Sequence, residues 1–293
     1  MPSREILEVD PYDRKRVQVL DSEMSYLDVG VGDPVVFLHG NGTFSYLWRN
    51  VIPYAEPLGR CLAPDLMGCG RSGRIPGGSY RIVDQARYLN AWFEAMDLGG
   101  RITLVLHDWG GPLGFDWAYR HQDQIKGIVY METLVQPVSW DDWPEIRRDL
   151  FRQFRSPKGE ELVLRDNFFL ETIQTRMVRN LTEKEMDTYR QPYLAPGESR
   201  RPTLTFTREC PIAGEPADVI EMINRCGEWL SSSKLPKLFI NAYPGSILTG
   251  RQRDFCRTWP NQEERTVLGI HYIQEDSPHQ IGEGIADFLK SIG

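Results

Sequence analysis

The sequence predicts an α/β fold, a mostly parallel sheet flanked by helices with a helical cap inserted into it. Three observations lead there. Short apolar runs recur along the chain, each bounded by Gly, Pro or polar residues; helix-length amphipathic stretches separate several of them; and from Gln136 to Pro211 helical patterns alone remain. Strands buried on both faces read as continuous apolar runs, and helices between them cover the two faces of a parallel sheet.

In chain order, strands are expected at Pro34 to Leu38, Cys61 to Ala63, Ile102 to Leu106, Ile128 to Met131 and Leu238 to Asn241, with helices at Ile82 to Met96 and Pro112 to Arg120. The insertion opens with Trp140-Asp141-Asp142-Trp143-Pro144. Its last part, Leu194 to Pro211, contains Pro196, Gly197, Pro202 and Pro211 and reads as a long irregular return to the core. The expected division is a core of residues 1–135 and 212–293 and a cap of residues 136–211. In such a sheet, functional residues collect at the carboxyl ends of the strands.

Composition excludes several classes of function. The chain has 34 Lys+Arg against 41 Asp+Glu and a net charge of −7, so no basic surplus exists to displace counterions from phosphates, and no nucleic-acid partner is expected. With 41% hydrophobic and 26% charged residues, it matches globular usage. No run of ~18 apolar residues appears, so no membrane span is expected. Met1 to Glu8 lacks the apolar middle of a signal peptide, which makes the cytoplasm the expected compartment. Two glycosylation sequons, at Asn41 and Asn180, would matter only in a secreted protein. The five cysteines are scattered without a C-x-x-C pair, so buried or free thiols are expected, with neither a disulfide framework nor a metal site.

Gly68-Cys69-Gly70-Arg71-Ser72-Gly73 matches the dinucleotide fingerprint G-x-G-x-x-G. That fingerprint needs a helix to begin at its last glycines and present N–H groups to a pyrophosphate, and Arg74-Ile75-Pro76-Gly77-Gly78 breaks any such helix. A structural turn is therefore expected, and no cofactor.

The segment Ile102 to Gly114 is more informative. A buried strand runs into Asp108, glycines follow, and a helical pattern begins, which is the layout of a nucleophile elbow. No G-x-S-x-G occurs in the chain, and Asp108 stands where that serine would be. Asp108 also suits a helix N-cap. A carboxylate nucleophile can displace a leaving group from saturated carbon to form an alkyl ester, which water must then cleave with the help of a base. Of the five histidines, His271 comes last in the order nucleophile, acid, histidine that this layout requires; His121 and His279 lie in polar surroundings and are expected to be solvated. The base needs an acid to hold its tautomer. Asn241 to Ser246 contains no carboxylate, whereas Glu132 ends the apolar run Ile128 to Met131, where a lone acid is costly unless used or paired. A buried ion pair is the other reading of Glu132. Asn41 and Trp109 follow strands at the same edge, and both offer N–H donors to a departing anion and to an oxyanion. Trp109 also suits plain core packing.

These residues resemble the haloalkane dehalogenases of the α/β-hydrolase fold. The resemblance lies in His39-Gly40-Asn41, Pro64 to Ser72, His107-Asp108-Trp109-Gly110, Trp140 to Pro144 and Pro211 to Ala217, and it spans nearly the whole chain. It implies hydrolysis of carbon–halogen bonds to an alcohol, a halide and a proton, with no cofactor or metal. It implies Asp108 as nucleophile, His271 as base, Glu132 as acid, Asn41 with Trp109 as the halide pair, and Phe169, Pro211 and Trp140 in the substrate pocket. The implied partners are a small halogenated hydrocarbon, water and halide. Packing of Trp140, Trp143, Phe169, Met177 and Ile247 is expected to set the substrate range.

Two departures stand out. Gly42 replaces the family's usual proline and is expected to loosen the loop carrying Asn41, and Leu106 stands where a small residue is usual. Glu56-Pro57, Arg60-Cys61, Gly78 to Arg81 and Gly197 to Leu204 also resemble the Renilla-type luciferases, which share the triad and oxidise coelenterazine. Fold alone does not separate these activities. A catalytically silent binding protein is a third reading. Epoxide hydrolysis would need cap tyrosines, and Tyr189 and Tyr193 are the candidates.

Overall fold

A computed structural model describes residues 5–143 and 145–293; Pro144, at the end of the Trp140 motif, lies outside them. Eight strands form one sheet: β1 (Lys15–Val19), β2 (Ser22–Val29), β3 (Pro34–Leu38), β4 (Arg60–Pro64), β5 (Ile102–Asp108), β6 (Ile125–Thr133), β7 (Lys237–Pro244) and β8 (Gln262–Gly269), in the order β1-β2-β4-β3-β5-β6-β7-β8. The β1–β2 and β2–β4 pairs are antiparallel and the remaining pairs are parallel. Each expected apolar run lies within one of β3 to β7. Both faces are buried: Val36, Leu38, Leu104 and Leu106 pack toward helices Ile82–Met96 and Gly110–Arg120, while Val35, Phe37 and Val105 pack toward Pro278–Ser291.

Of the three strands without a strong apolar run, β1 and β8 are at the edges, and β2 lies between β1 and β4. β1 is mostly exposed, and β8 opens with Gln262-Glu263-Glu264-Arg265. An edge strand solvated on one side keeps its polar residues and gives no continuous hydrophobic signal.

Between 136 and 211 the described residues form helices and no strand of the sheet, and a bridge between Val138 and Ile212 closes the neck of the insertion. The irregular return expected from Leu194 to Pro211 is corrected: Arg201–Arg208 is an α-helix. Pro202 sits in its first turn, where the missing N–H removes no helical bond. Leu106 is accommodated because Gly114 in the facing helix has no side chain; a Cβ there would lie 2.4 Å from Leu106 Cδ2. The Gly68 to Gly73 segment is a turn, closed by the Gly68 N–H donating to the Gly73 carbonyl at 2.8 Å. All five cysteines are buried and free. Among the described residues, no helix is long and apolar enough to cross a membrane and no cluster of His, Cys, Asp or Glu is arranged to hold a metal.

Candidate active site

β5 ends at Asp108 with φ +51°, and the following helix begins at Gly110. This left-handed step lifts the carboxylate off the sheet edge. The close approach of the β3 loop requires glycine at position 40, since a Cβ there would meet Asp108 Oδ1 at 2.0 Å. The Asp108 carboxylate does not cap the helix. Its Oδ1 accepts the Asn41 backbone N–H at 2.6 Å, and its Oδ2 lies 3.2 Å from His271 Nε2. Burial raises the Asp108 pKa, but the hydrogen bond and charge of His271 outweigh it and leave the carboxyl at about 2. For His271 burial lowers the pKa, while hydrogen bonds to Asp108 and Glu132 prevail and raise it. The carboxylate therefore stays ionised and the imidazole readily protonates.

Glu132, at the carboxyl end of β6, is fully buried, and its Oε2 lies 3.5 Å from His271 Nδ1. The loop after β7 has no carboxylate of its own, but it surrounds this one. The backbone N–H groups of Ser246, Ile247 and Leu248 donate to Glu132 at 3.0, 2.8 and 3.3 Å. Three backbone donors and His271 satisfy this buried carboxylate, and no Lys or Arg pairs with it among the described residues. The reading of Glu132 as the acid beside the histidine predicts that Glu132→Gln folds and lowers turnover by about 100-fold or more, because a protonated His271 loses its countercharge; stopped-flow turnover beside a circular-dichroism melt checks it.

The other histidines have structural work. His107 Nε2 donates to the His271 carbonyl at 2.8 Å, and burial lowers its pKa to about 3. His39 Nε2 accepts the Leu66 N–H at 2.9 Å. His121 and His279 are half-buried, not solvated, and bond to the Trp117 carbonyl and the Tyr54 hydroxyl.

Asp108, His271, Asn41, Trp109 and Phe169 line one cavity of about 610 Å3, part of it open to solvent. Trp143 and Ile247 also line it, whereas Met177 does not. Pro211 and Trp140, expected in the pocket, are absent from its walls and are corrected. The Pro211 carbonyl accepts the Val138 N–H at 2.9 Å in the neck, and the Trp140 ring lies under the guanidiniums of Arg152 and Arg155. Tyr189 donates to Glu275 at 2.5 Å, and neither it nor Tyr193 reaches the cavity, which removes the basis for the epoxide reading.

The Asn41 loop is pinned, contrary to expectation. Gly42 has φ +72°, a conformation closed to proline, and a Cβ on it would meet the Phe169 ring at 2.7 Å. The Tyr272 hydroxyl donates to the Asn41 carbonyl at 3.0 Å. The Asn41 side-chain NH2 donates to the Thr203 carbonyl and the Thr207 hydroxyl, both at 3.1 Å, while Asn41 Oδ1 is buried without a donor. Trp109 lines the same cavity, and its indole N–H makes no hydrogen bond to a described residue. Sequence reasoning did not find Thr207, Tyr272, Arg147 and Arg176, which also line the cavity. Three of them come from the cap or its contacts, and nothing in the local pattern separates them from their neighbours.

The chain is similar to known proteins over nearly its whole length. The family model described as alpha/beta hydrolase fold matches residues 33–278. A haloalkane dehalogenase of Sphingobium indicum is 53% identical over 284 residues, covering 96% of each chain. A coelenterazine h 2-monooxygenase of Renilla reniformis is 42% identical over 284 residues, 95% of this chain and 91% of that protein. The crystal structure of a haloalkane dehalogenase from Bradyrhizobium elkani superposes with a TM-score of 0.90 at 39% identity, covering 96% of this chain and 98% of that one. Identity of this order, sustained through both core and insertion, makes this chain a member of the haloalkane dehalogenases within the α/β-hydrolase fold.

Proposed function

We propose that the chain hydrolyses the carbon–halogen bond of haloalkanes through an alkyl ester on Asp108. The supporting observation is the line Asp108–His271–Glu132 at the wall of a largely apolar cavity, with 3.2 and 3.5 Å between successive groups. Asp108 attacks the halogen-bearing carbon; the carbon–oxygen bond forms as the carbon–halogen bond breaks, and the halide leaves with the bonding pair. Alkylation removes the carboxylate charge that helps hold His271 protonated, so the imidazole becomes a competent base when water must be activated. His271 Nε2 takes a proton from water, and the hydroxide adds to the Asp108 carboxyl carbon. The oxyanion forms against the Asn41 backbone N–H, which already holds Asp108 Oδ1. Collapse releases the alcohol and restores the carboxylate. The balance is haloalkane and water to alcohol, halide and proton.

Trp109 supplies the first N–H to the halide, because its donor is uncommitted. Asn41 is the second donor of this reading: its NH2 stands at the wall of the same cavity, held by the Thr203 carbonyl and the Thr207 hydroxyl. In this reading residues 1–135 and 212–293 carry the triad, and the cap of 136–211 supplies the apolar walls. Trp109→Leu is expected to abolish bromide-induced changes in tryptophan fluorescence and to lower turnover about 100-fold, as for loss of one preorganised donor. Halide release from 1-bromohexane tests the whole reading. Light emission on adding coelenterazine, with no halide released from any bromoalkane, would shift the assignment to the activity of the Renilla relative.

A further inference from the structure

The proposed chemistry leaves two positive charges of the cavity wall unused. Arg147, on the helix Glu145–Arg155, donates to the Ser246 carbonyl at 2.7 Å and to its hydroxyl at 2.5 Å. Arg176 ends the turn Ile173–Arg176; its guanidinium lies 4.4 Å from the centre of the Phe169 ring and donates to the Phe169 carbonyl at 3.4 Å. Its own carbonyl accepts the N–H groups of His271 and Tyr272 at 3.0 and 3.3 Å, which ties it to the base. Both side chains are half-buried and both line the Asp108 cavity.

Neither arginine forms an ion pair among the described residues, whereas Arg179, Arg190, Arg201 and Arg208 of the same insertion do; Arg155 and Arg200 also have none, but they bond to backbone carbonyls and do not line the cavity. The charge of Glu132 reaches Arg147 and that of Asp108 reaches Arg176, but neither carboxylate pairs directly with an arginine: Asp108 is held by Asn41 and His271, and Glu132 by three backbone N–H groups and His271. Burial lowers the pKa of both arginines, and the charge of Arg176 lowers that of Arg147 further. A guanidinium presents five N–H donors in a planar fork matched to a carboxylate, and leaving it desolvated without an anion is costly. A cavity meant only for a neutral hydrocarbon has no need of two such groups.

We propose that the substrate carries an anionic group, a carboxylate, at the end away from the halogen, with Arg147 and Arg176 as its receptor. This rests on the dehalogenase reading and names its substrate class as the halogenated alkanoates. The apolar wall of Phe151, Phe169, Phe206 and Ile247 holds the methylene chain, and the two guanidiniums offset the repulsion between an anionic substrate and the Asp108 carboxylate.

The test compares kcat/KM for 6-bromohexanoate with that for 1-bromohexane in the wild type, Arg147→Gln and Arg176→Gln. The wild type should favour the bromoalkanoate by about tenfold or more, and each substitution should cut that ratio by about tenfold through KM, as loss of a charged hydrogen bond implies. Arg→Lys at either site should restore part of it. A ratio cancels losses that a damaged fold imposes on both substrates. In the wild type alone, hexanoate should inhibit 1-bromohexane turnover more strongly than the neutral hexanamide. Bromide release from 1-bromohexane with equal inhibition by the two, and a ratio unmoved by either substitution, overturns the anionic substrate alone. No bromide from either compound defeats the dehalogenase reading and this proposal with it.

Discussion

His271→Phe, incubated with 1-bromohexane, should release about one bromide per active site and then stop. Forming the ester requires only Asp108, whose pKa of about 2 keeps it ionised at neutral pH. Cleaving it requires water activated by the imidazole next to it, at 3.2 Å. Removing the base splits the two steps, and steady turnover should fall by about 1,000-fold or more, the scale of a lost general base. Intact-mass measurement should show one added hexyl group, and peptide mapping should place it on Asp108. The double variant with Asp108→Ala should show neither burst nor adduct. The cysteines are not competing sites, since burial pushes Cys69 and Cys210 up to about 12 and leaves little thiolate. A folded His271→Phe protein that turned over at the wild-type rate would remove His271 from the mechanism.

The largest effect on stability is expected from Arg49→Met. Arg49 is 1% exposed and pairs with Glu275 at 2.5 Å and Glu185 at 2.6 Å. Glu275 lies in the short helix Ile273–Asp276 just after His271, and Glu185 lies in the insertion helix Glu183–Arg190, so this arginine joins the segment carrying the base to the cap. Arg179 reaches both carboxylates from the other side but is partly exposed. Truncating Arg49 leaves two buried acids sharing one outlying cation, and breaking a buried pair in this way costs about 3–5 kcal/mol. Urea unfolding should show the loss as a lower midpoint at unchanged slope. In a thermal melt it should appear as a drop of roughly 10 °C, at a few degrees per kcal/mol for a chain of this size. A midpoint within about 1 kcal/mol of wild type would mean that Arg179 alone neutralises the pair. Arg179→Met should then be the damaging change.

The amino-acid sequence alone determined the parallel sheet and the placement of Asp108, Glu132 and His271 at one of its edges. Each of these is announced locally: a run of residues buried on both faces ends at an ionisable side chain, or a loop carries a lone histidine after the last runs, and the physical cost of burying such groups marks them. The edge strands β1 and β8 lacked that signal because one side of each faces water. What only the tertiary structure decided depends on partners far away in the chain. The loop after β7 holds Glu132 by backbone N–H groups, which no residue type reveals. Gly42 fits against Phe169 from the insertion, so a residue that reads as a loosened loop is a packed one. Pro211 and Trp140 turn away to the neck and to arginine side chains, while Arg147 and Arg176 turn inward. In the arginine-rich helix Glu145–Arg155 the periodicity defines an apolar face; which arginine at its border reaches the cavity is set by how the helix packs across the sheet edge, and that is a long-range contact.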